Sequence, residues 1–325
     1  MEIRGAQRTA HNAQRHNFGR IGVLMGGPSA EREISLKSGK AVHAALKDLG
    51  LDAVGIDIET ADEKKALALL RSQNISCAFI ALHGCFGEDG TIQKILEKLK
   101  IPYTGSGVSA SMCAMDKVKS RQIFQSCGLH VPRYEVFKKD VVMQGRGAVH
   151  SSLLVPLVVK PASCGSSIGL SIIKDEILLE KALQDGFAFD ETVIVEEYIR
   201  GRELTVGVLN ETALPVIEIV PKKVFFDYEA KYQAGMTDYI VPAELDEGIA
   251  SRVRKDALSA HQSLGCFGCS RADIILRCDN TPFILEINTI PGFTSTSLLP
   301  KAAKSIGIEF GQLCLELLRL AYEKK

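Results

Sequence analysis

Two apolar runs near the C-terminus, Arg271–Cys278 (RADIILRC) and Pro282–Asn288 (PFILEIN), are separated only by Asp279, Asn280 and Thr281. So short a polar link between β-prone runs closes a hairpin, and a hairpin dictates which side chains share a face. Residues two apart on a strand project from one face, and directly paired residues share it too. With a two-residue turn at Asp279-Asn280, Cys278 pairs with Thr281, Asp273 stands opposite Glu286 and Arg271 opposite Asn288. A four-residue loop shifts the pairing by two and keeps all four on one face. Flanking Ile274, Leu276, Ile284 and Leu285 make this a buried sheet. Two carboxylates and a carboxamide on a buried face repel and desolvate badly without a cation. Hard oxygen donors of this kind suit Mg²⁺, which keeps waters and borrows phosphate oxygens. The alternative is a structural ion network in which Arg271 neutralises Asp273 and Glu286.

The N-terminal third alternates strand and helix. Ile21–Met25 reads as a buried strand, Gly26-Gly27-Pro28 as a turn, and Ser29 as the N-cap of a helix carrying Ile34, Val42, Ala45, Leu46 and Leu49. Val54–Ile58 and Cys77–Leu82 are further strands around a helix at Lys64–Arg71. This is an α/β unit with a parallel sheet, and ligands gather at the carboxyl ends of such strands. Glu31 and His83 follow two of those ends. Glu31 is either a helix-dipole residue or the holder of a substrate ammonium; His83 is either a turn residue or a site residue.

From about Tyr103 the texture changes. A helix at Lys117–Gly128 precedes strands Val155–Lys160 and Leu170–Ile173, which are joined by a loop containing Gly165-Ser166-Ser167-Ile168-Gly169. The loop lacks the G-K-[ST] of a Walker A motif and joins two strands. Its amides and hydroxyls could wrap phosphates with Lys160 as a point charge, or it is a plain surface hairpin. Strand Thr192–Tyr198 ends in Glu196 and Glu197, placed either for a nucleotide's amino and hydroxyl groups or simply where the strand meets solvent. Strands Glu203–Leu209 and Leu214–Val220, an irregular stretch Pro221–Pro242, a helix Glu247–Leu264 and a last helix from Glu309 complete the chain.

Length and charge narrow the classes. At about 150 residues per domain, 325 residues make two or three domains. Lys plus Arg and Asp plus Glu both number 39, so the chain has no electrostatic footprint for nucleic acid. No apolar run approaches a membrane span. Nine scattered Cys fit a reduced, cytoplasmic protein, with Cys266 and Cys269 as either buried small hydrophobes or a metal or redox pair. Residues 1–20, with Arg4, Arg8, Arg15 and Arg20 against a single Glu2, are expected to be a disordered extension.

Seven motifs stand in one order: GGPSAEREIS (26–35), ALHGCFGEDG (81–90), MDK (115–117), VVKPASCGSSIG (158–169), VEEYIRGRE (195–203), DYEAKY (227–232) and RADIILRC with FILEINTIPGFTSTSLLP (271–300). In that order they resemble the D-alanine–D-alanine ligases of the ATP-grasp superfamily. The resemblance implies three α/β domains, here 21–102, 103–199 and 200–325, with ATP between the second and third. By motif, Lys117 and Lys160 look like the phosphate lysines, with Ser166, Ser167 and Lys231 also on the nucleotide. Glu196, Glu197 and Ile199 would surround adenine, and Glu203 the ribose. Asp273, Glu286 and Asn288 match the ligands of two Mg²⁺, for which Mn²⁺ could substitute. Glu31 would hold the first D-alanine's ammonium within a group including Ser166 and Tyr232, and His83 would lie beside that substrate. Arg271 and the Gly292 amide would stabilise the acyl phosphate and tetrahedral species. Ser297 and Leu298 would receive the second D-alanine's carboxylate. The implied reaction makes D-alanyl-D-alanine for peptidoglycan through D-alanyl phosphate, with 221–242 closing over the intermediate. D-Alanine and ATP are thus the expected partners, in a homodimer free of nucleic acid and membrane. Ala162-Ser163-Cys164 before Gly165 departs from the charged or larger residue of many relatives.

Overall fold

The computed structural model describes residues 17–144, 149–221 and 237–324. Strand and helix alternate as β1 (Ile21–Gly26), α1 (Arg32–Asp48), β2 (Ala53–Ile58), α2 (Glu63–Ser72) and β3 (Cys77–Ile80). The three strands pair in parallel in the order β2-β1-β3, as helical crossovers require. β1 is buried along its whole length. Its Ile21, Val23 and Met25 enter one apolar cluster while Leu24 enters another, because alternate side chains leave opposite faces of a sheet covered on both.

The expected Ser29 cap is not what starts α1. The helix begins at Arg32 behind Glu31, and the Ser29 hydroxyl instead donates to His83 O at 2.6 Å and accepts from Glu31 N at 3.2 Å. Side-chain capping lost to a tertiary bond between two loops. Residues 1–16 lie outside the described residues, but Phe18 is buried among the β1 residues and its carbonyl accepts from the Tyr322 hydroxyl at 2.9 Å. The packed fold therefore includes the end of the stretch expected as a loose extension.

Next come α3 (Thr91–Leu99), α4 (Val108–Met115), α5 (Lys117–Ser126), β4 (Tyr134–Lys138), α6 (Lys139–Gln144), β5 (Leu157–Pro161), β6 (Ser171–Ile173), α7 (Leu179–Phe187) and β7 (Thr192–Glu197). β4-β7-β5-β6 is an antiparallel sheet. Glu196 pairs with both Tyr134 and Val158. Lys160, two residues beyond Val158, consequently shares the face of Glu196.

The last third contains β8 (Gly201–Leu209), β9 (Thr212–Ala213), β10 (Ile217–Pro221), β11 (Thr237–Ile240), α8 (Glu247–Ser263), β12 (Cys269–Arg277), β13 (Pro282–Asn288), α9 (Leu298–Ser305) and α10 (Phe310–Glu323). The sheet runs β11-β10-β8-β12-β13, with β9 beside β8. The stretch 221–242 is not irregular throughout, since β11 pairs antiparallel with β10.

The β12–β13 hairpin differs from the expected turn. Leu276 pairs with Pro282 and the Arg277 amide donates to Thr281 O, so the loop has three residues, Cys278, Asp279 and Asn280. Asn280 takes φ 62°, a left-handed position that Asn tolerates. A bulge between Asp273 and Ile274 leaves Leu285 without a partner and restores the register. Arg271 thereby pairs with Asn288, and Asp273 with Glu286. The other face of the hairpin carries Ala272, Ile274, Leu276, Ile284 and Ile287 into a core shared with Phe124 of α5 and with Leu129 and Val131 just after it. The strands behind the polar face are anchored by that core.

Candidate active site

One cavity of about 630 Å³ lies where the three sheets meet. Glu31, His83, Lys117, Ser166, Arg271, Asp273, Glu286, Asn288, Gly292, Ser297 and Leu298 all line it, although they are drawn from positions 31 to 298. Lys160, Ser167, Glu196, Glu197, Ile199 and Glu203 lie outside that lining. Lys231 and Tyr232 lie outside the described residues.

Glu31 is buried and touches the Ser166 hydroxyl, which ties the glycine-rich loop to the end of β1. Ser166 and Ser167 hold φ values of 52° and 59°. Two consecutive non-glycine residues in the left-handed region are uncommon and orient successive amides to one side. The loop base is pinned as well. Ser163 N and Oγ donate to Asp190 Oδ2 at 2.8 and 2.7 Å, and Lys117 Nζ donates to Cys164 O at 2.7 Å.

His83 uses both ring nitrogens. Nδ1 lies 3.0 Å from Ile290 O, which can only accept, so the proton sits on Nδ1 and Nε2 accepts from Ser38 Oγ at 3.1 Å. Burial pushes its pKa down to about 4, keeping the ring neutral. His83 thus fastens the end of β3 to the segment after β13. Glu88, which sequence reasoning passed over, also lines the cavity and accepts from Gly84 N at 2.9 Å. Burial, reinforced by nearby Glu31, pushes its carboxyl well above the usual carboxylate range. A neutral acid beside Glu31 limits the repulsion on that side of the cavity.

On the hairpin face, Arg271 grips Asp273 bidentately at 2.8 and 2.7 Å, and Thr205 Oγ1 lies 2.8 Å from Asp273 Oδ1. Lys117 Nζ is 3.2 Å from Glu286. Asn288 Oδ1 accepts from Ile290 N at 2.9 Å. Both readings of this face have a basis, since Arg271 does neutralise Asp273, whereas Glu286 takes its counter-charge from Lys117. Asp273 and Glu286 nevertheless remain partly exposed toward the cavity, with side-chain exposures of 19% and 27%. Two carboxylates and a carboxamide oxygen are hard donors that fit Mg²⁺, which needs further oxygens from outside the protein. Among the described residues no cluster of three or more His, Cys, Asp or Glu provides a closed metal cage. Glu203 pairs with Ile275 and Ile219, which puts it on the sheet face of Asp273.

The acids ending β7 fare differently. Glu196 is 3% exposed and sits between Lys160 Nζ at 2.9 Å and the Arg121 guanidinium. Arg121 is fully buried, lies 5.3 Å from the Tyr134 ring centroid, and its Nε and second terminal nitrogen have no hydrogen-bond acceptor. Burial lowers the Lys160 pKa to about 8 against the opposing pull of Glu196. Glu197 turns away, accepting from Arg133 N and Nε at 3.0 and 2.9 Å. Arg121 had a signal in the sequence. Lys117, Ser120, Arg121 and Phe124 form one helical stripe, and all four are buried.

All nine cysteines are free. Burial pushes the Cys266 and Cys269 thiols up to about 12, so both are protonated small side chains at neutral pH.

The family model described as D-ala D-ala ligase C-terminus matches residues 123–319, and that described as D-ala D-ala ligase N-terminus matches residues 59–106. The chain is 47% identical over 304 residues to a D-alanine–D-alanine ligase of Geotalea uraniireducens, covering 93% of this chain and 95% of the relative. It is 45% identical over 305 residues to that of Bordetella avium, covering 93% and 94%. Among solved structures, the D-alanine–D-alanine ligase of Bacillus anthracis complexed with ATP aligns with a TM-score of 0.81 at 32% identity, covering 94% of this chain and 97% of that one. A D-Ala:D-Ser ligase from Enterococcus faecalis aligns with a TM-score of 0.78 at 30% identity, covering 93% and 99%.

Proposed function

The chain belongs to the D-alanine–D-alanine ligase family, and from that premise we propose how its own residues carry out the ATP-dependent joining of two D-alanines that supplies cell-wall synthesis. The observation that carries the proposal is the convergence of Glu31, Ser166, Arg271 and the Asp273–Glu286 pair on one cavity.

Glu31 takes the ammonium of the first D-alanine, with Ser166 and Tyr232 completing the hydrogen-bonded group and the neutral His83 ring beside it. Lys117 and Lys160 face the ATP phosphates together with Ser166, Ser167 and Lys231. Glu197, Ile199 and Glu203 frame adenine and ribose, while Glu196 acts from behind by fixing Lys160. The first carboxylate attacks the γ-phosphoryl group, forming D-alanyl phosphate and ADP. The second amine then attacks that carbonyl and expels phosphate. Arg271 and the Gly292 amide face the developing charge, which needs positioned dipoles and cations more than covalent help. Asp273, Glu286 and Asn288 would hold Mg²⁺, or Mn²⁺ in its place, as a pair of ions that screens phosphoryl charge. Arg271 and Lys117 already answer Asp273 and Glu286, so a cation is accommodated once phosphate oxygens add negative charge. Ser297 and Leu298 receive the second carboxylate.

The division into 21–102, 103–199 and 200–325 is retained as the proposed domain plan, although apolar clusters join the first to the last across α10. A homodimer in the cytoplasm is the proposed setting, and the nine unpaired thiols fit the reducing compartment. No helix among the described residues is long and apolar enough to cross a membrane.

The test is phosphate release from ATP with D-alanine, L-alanine, D-serine or D-lactate offered, followed by product identification. D-Alanine alone should support turnover to D-alanyl-D-alanine. Efficient D-alanyl-D-lactate or D-alanyl-D-serine formation at neutral pH would reassign the accepting substrate.

A further inference from the structure

We infer that Lys301 is a further substrate-binding residue, which holds the carboxylate of the second, accepting D-alanine; the inference rests on the ligase reading above and extends its acceptor site. Lys301 lies on α9 and lines the cavity. Its amide donates to Ser297 O at 2.9 Å, so its side chain rises one turn from Ser297 and Leu298.

The charges of the cavity single it out. Arg271 is engaged by Asp273, and Lys117 by Glu286. Lys301 has no ion pair among the described residues. Lys37, the other lining cation without one, is exposed to solvent on α1. The Lys301 ammonium is instead seated 4.3 Å from the Tyr239 ring centroid. Tyr239 faces the cavity with Ile219, its partner across β10 and β11, and with Thr237 two residues before it. An aromatic face positions an ammonium without neutralising it, and the full charge stays available to an anion. Burial alone lowers the Lys301 pKa, with no acid contributing.

The backbone nearby is short of capping groups. Ser297 Oγ accepts from Thr294 N at 3.0 Å and lies 2.8 Å from Thr294 Oγ1, and it does not cap α9. Pro300 has no N–H, which leaves the first turn's partial positive charge to the Leu298 and Leu299 amides. The chemistry of the reaction calls for such a cation. The first D-alanine's carboxylate becomes an acyl group, but the second stays ionised from binding to product. Its counter-charge must therefore be separate from the cations committed to acids and phosphoryl oxygens.

The experiment is a comparison of unaltered chain, K301M and K301R by initial rates of dipeptide formation at saturating ATP, resolving the KM of each D-alanine site. K301M should raise the second-site KM by about tenfold or more, the cost of one charge-assisted contact. The first-site KM, the ATP KM and the melting temperature should stay close to those of the unaltered chain, and K301R should recover most of the loss. An unchanged second-site KM in K301M would overturn the inference. So would a parallel rise in all three KM values with a lower melting temperature, which marks a purely structural role. An unaltered chain that forms no dipeptide would overturn the ligase reading as well, whereas an active one with an indifferent K301M overturns this inference alone.

Discussion

Two strand ends carry acids, and they have opposite fates. Glu196 closes β7 and is 3% exposed, clamped between Lys160 and Arg121. Asp273 and Glu286 face each other on β12 and β13, carry their own cations, and still open onto the cavity. Each acid ends or interrupts an apolar strand, so the strand pattern does not separate them. The separation comes from what packs behind. α5 delivers Arg121 from its buried stripe onto Glu196, whereas on the hairpin Arg271, Thr205 and Lys117 contact the carboxylates and leave them partly open to the cavity. A buried acid with two cations organises its neighbours; a half-buried pair facing a cavity has capacity left for a ligand.

The hairpin side should show the largest response. Glu286→Gln is expected to lower turnover by on the order of a hundredfold to a thousandfold, the scale for losing one preorganised electrostatic group. The melting temperature should fall less than in an Arg121→Met variant, because Glu286 is partly exposed although it pairs with the buried Lys117. Near-normal turnover would remove the distinction drawn between the two acid sites.

Arg121→Met tests the opposite region. Breaking a buried ion pair on one side costs about 3–5 kcal/mol, which should be visible as a shifted denaturation midpoint with an unchanged slope. Adding Glu196→Gln should cost less than the sum of the single changes. Strict additivity would mean that Arg121 and Glu196 do not act as a unit.

A pH effect on stability follows from the buried imidazoles. The His83 and His261 pKa values are both pushed down to about 4 by burial, from about 6.5 in the unfolded chain. Between these values the unfolded chain binds protons that the folded one does not, so stability falls as pH drops from about 6.5 toward 4. Above about 6.5 these two groups contribute no slope. His261→Gln should flatten the acid limb in melting curves; an unaltered limb would exclude that residue as a cause.

The smallest effect belongs to Glu197. Its pairing with Arg133 is at the surface, and such pairs are worth about 0–1 kcal/mol. Glu197→Gln should leave stability within that range in a denaturant titration. A multi-kcal loss would mean that Glu197 belongs with its buried neighbour.

The hairpin face was legible because strand geometry fixes it. Arg271, Asp273, Glu286 and Asn288 share a face under either even-numbered loop that the spacing suggests. The actual three-residue loop would have broken that pattern without the bulge at Leu285, which no residue in the run announces. Parallel α/β order at the N-terminus was equally legible from alternation, and with it the placement of Glu31 and His83 at strand ends. The loop-to-loop bond of Ser29 was not, because its partner is 54 residues away. Arg121 was missed for a similar reason. Its place on the Lys117–Phe124 stripe marks it as facing inward, but the groups that answer its charge, on β4 and β7, come from later in the chain. Lys301 and Tyr239 are likewise joined only by the packing of α9 against β11.

The most direct test of the central claim, that this cavity activates a D-alanine carboxylate by phosphorylating it, is the fate of carboxyl oxygen. D-Alanine labelled with ¹⁸O in its carboxyl group should be incubated with ATP, and the released phosphate and dipeptide analysed by mass spectrometry. Formation of D-alanyl phosphate predicts one labelled oxygen in each phosphate released, with ADP as the nucleotide product. Unlabelled phosphate, or label appearing in AMP, would contradict it.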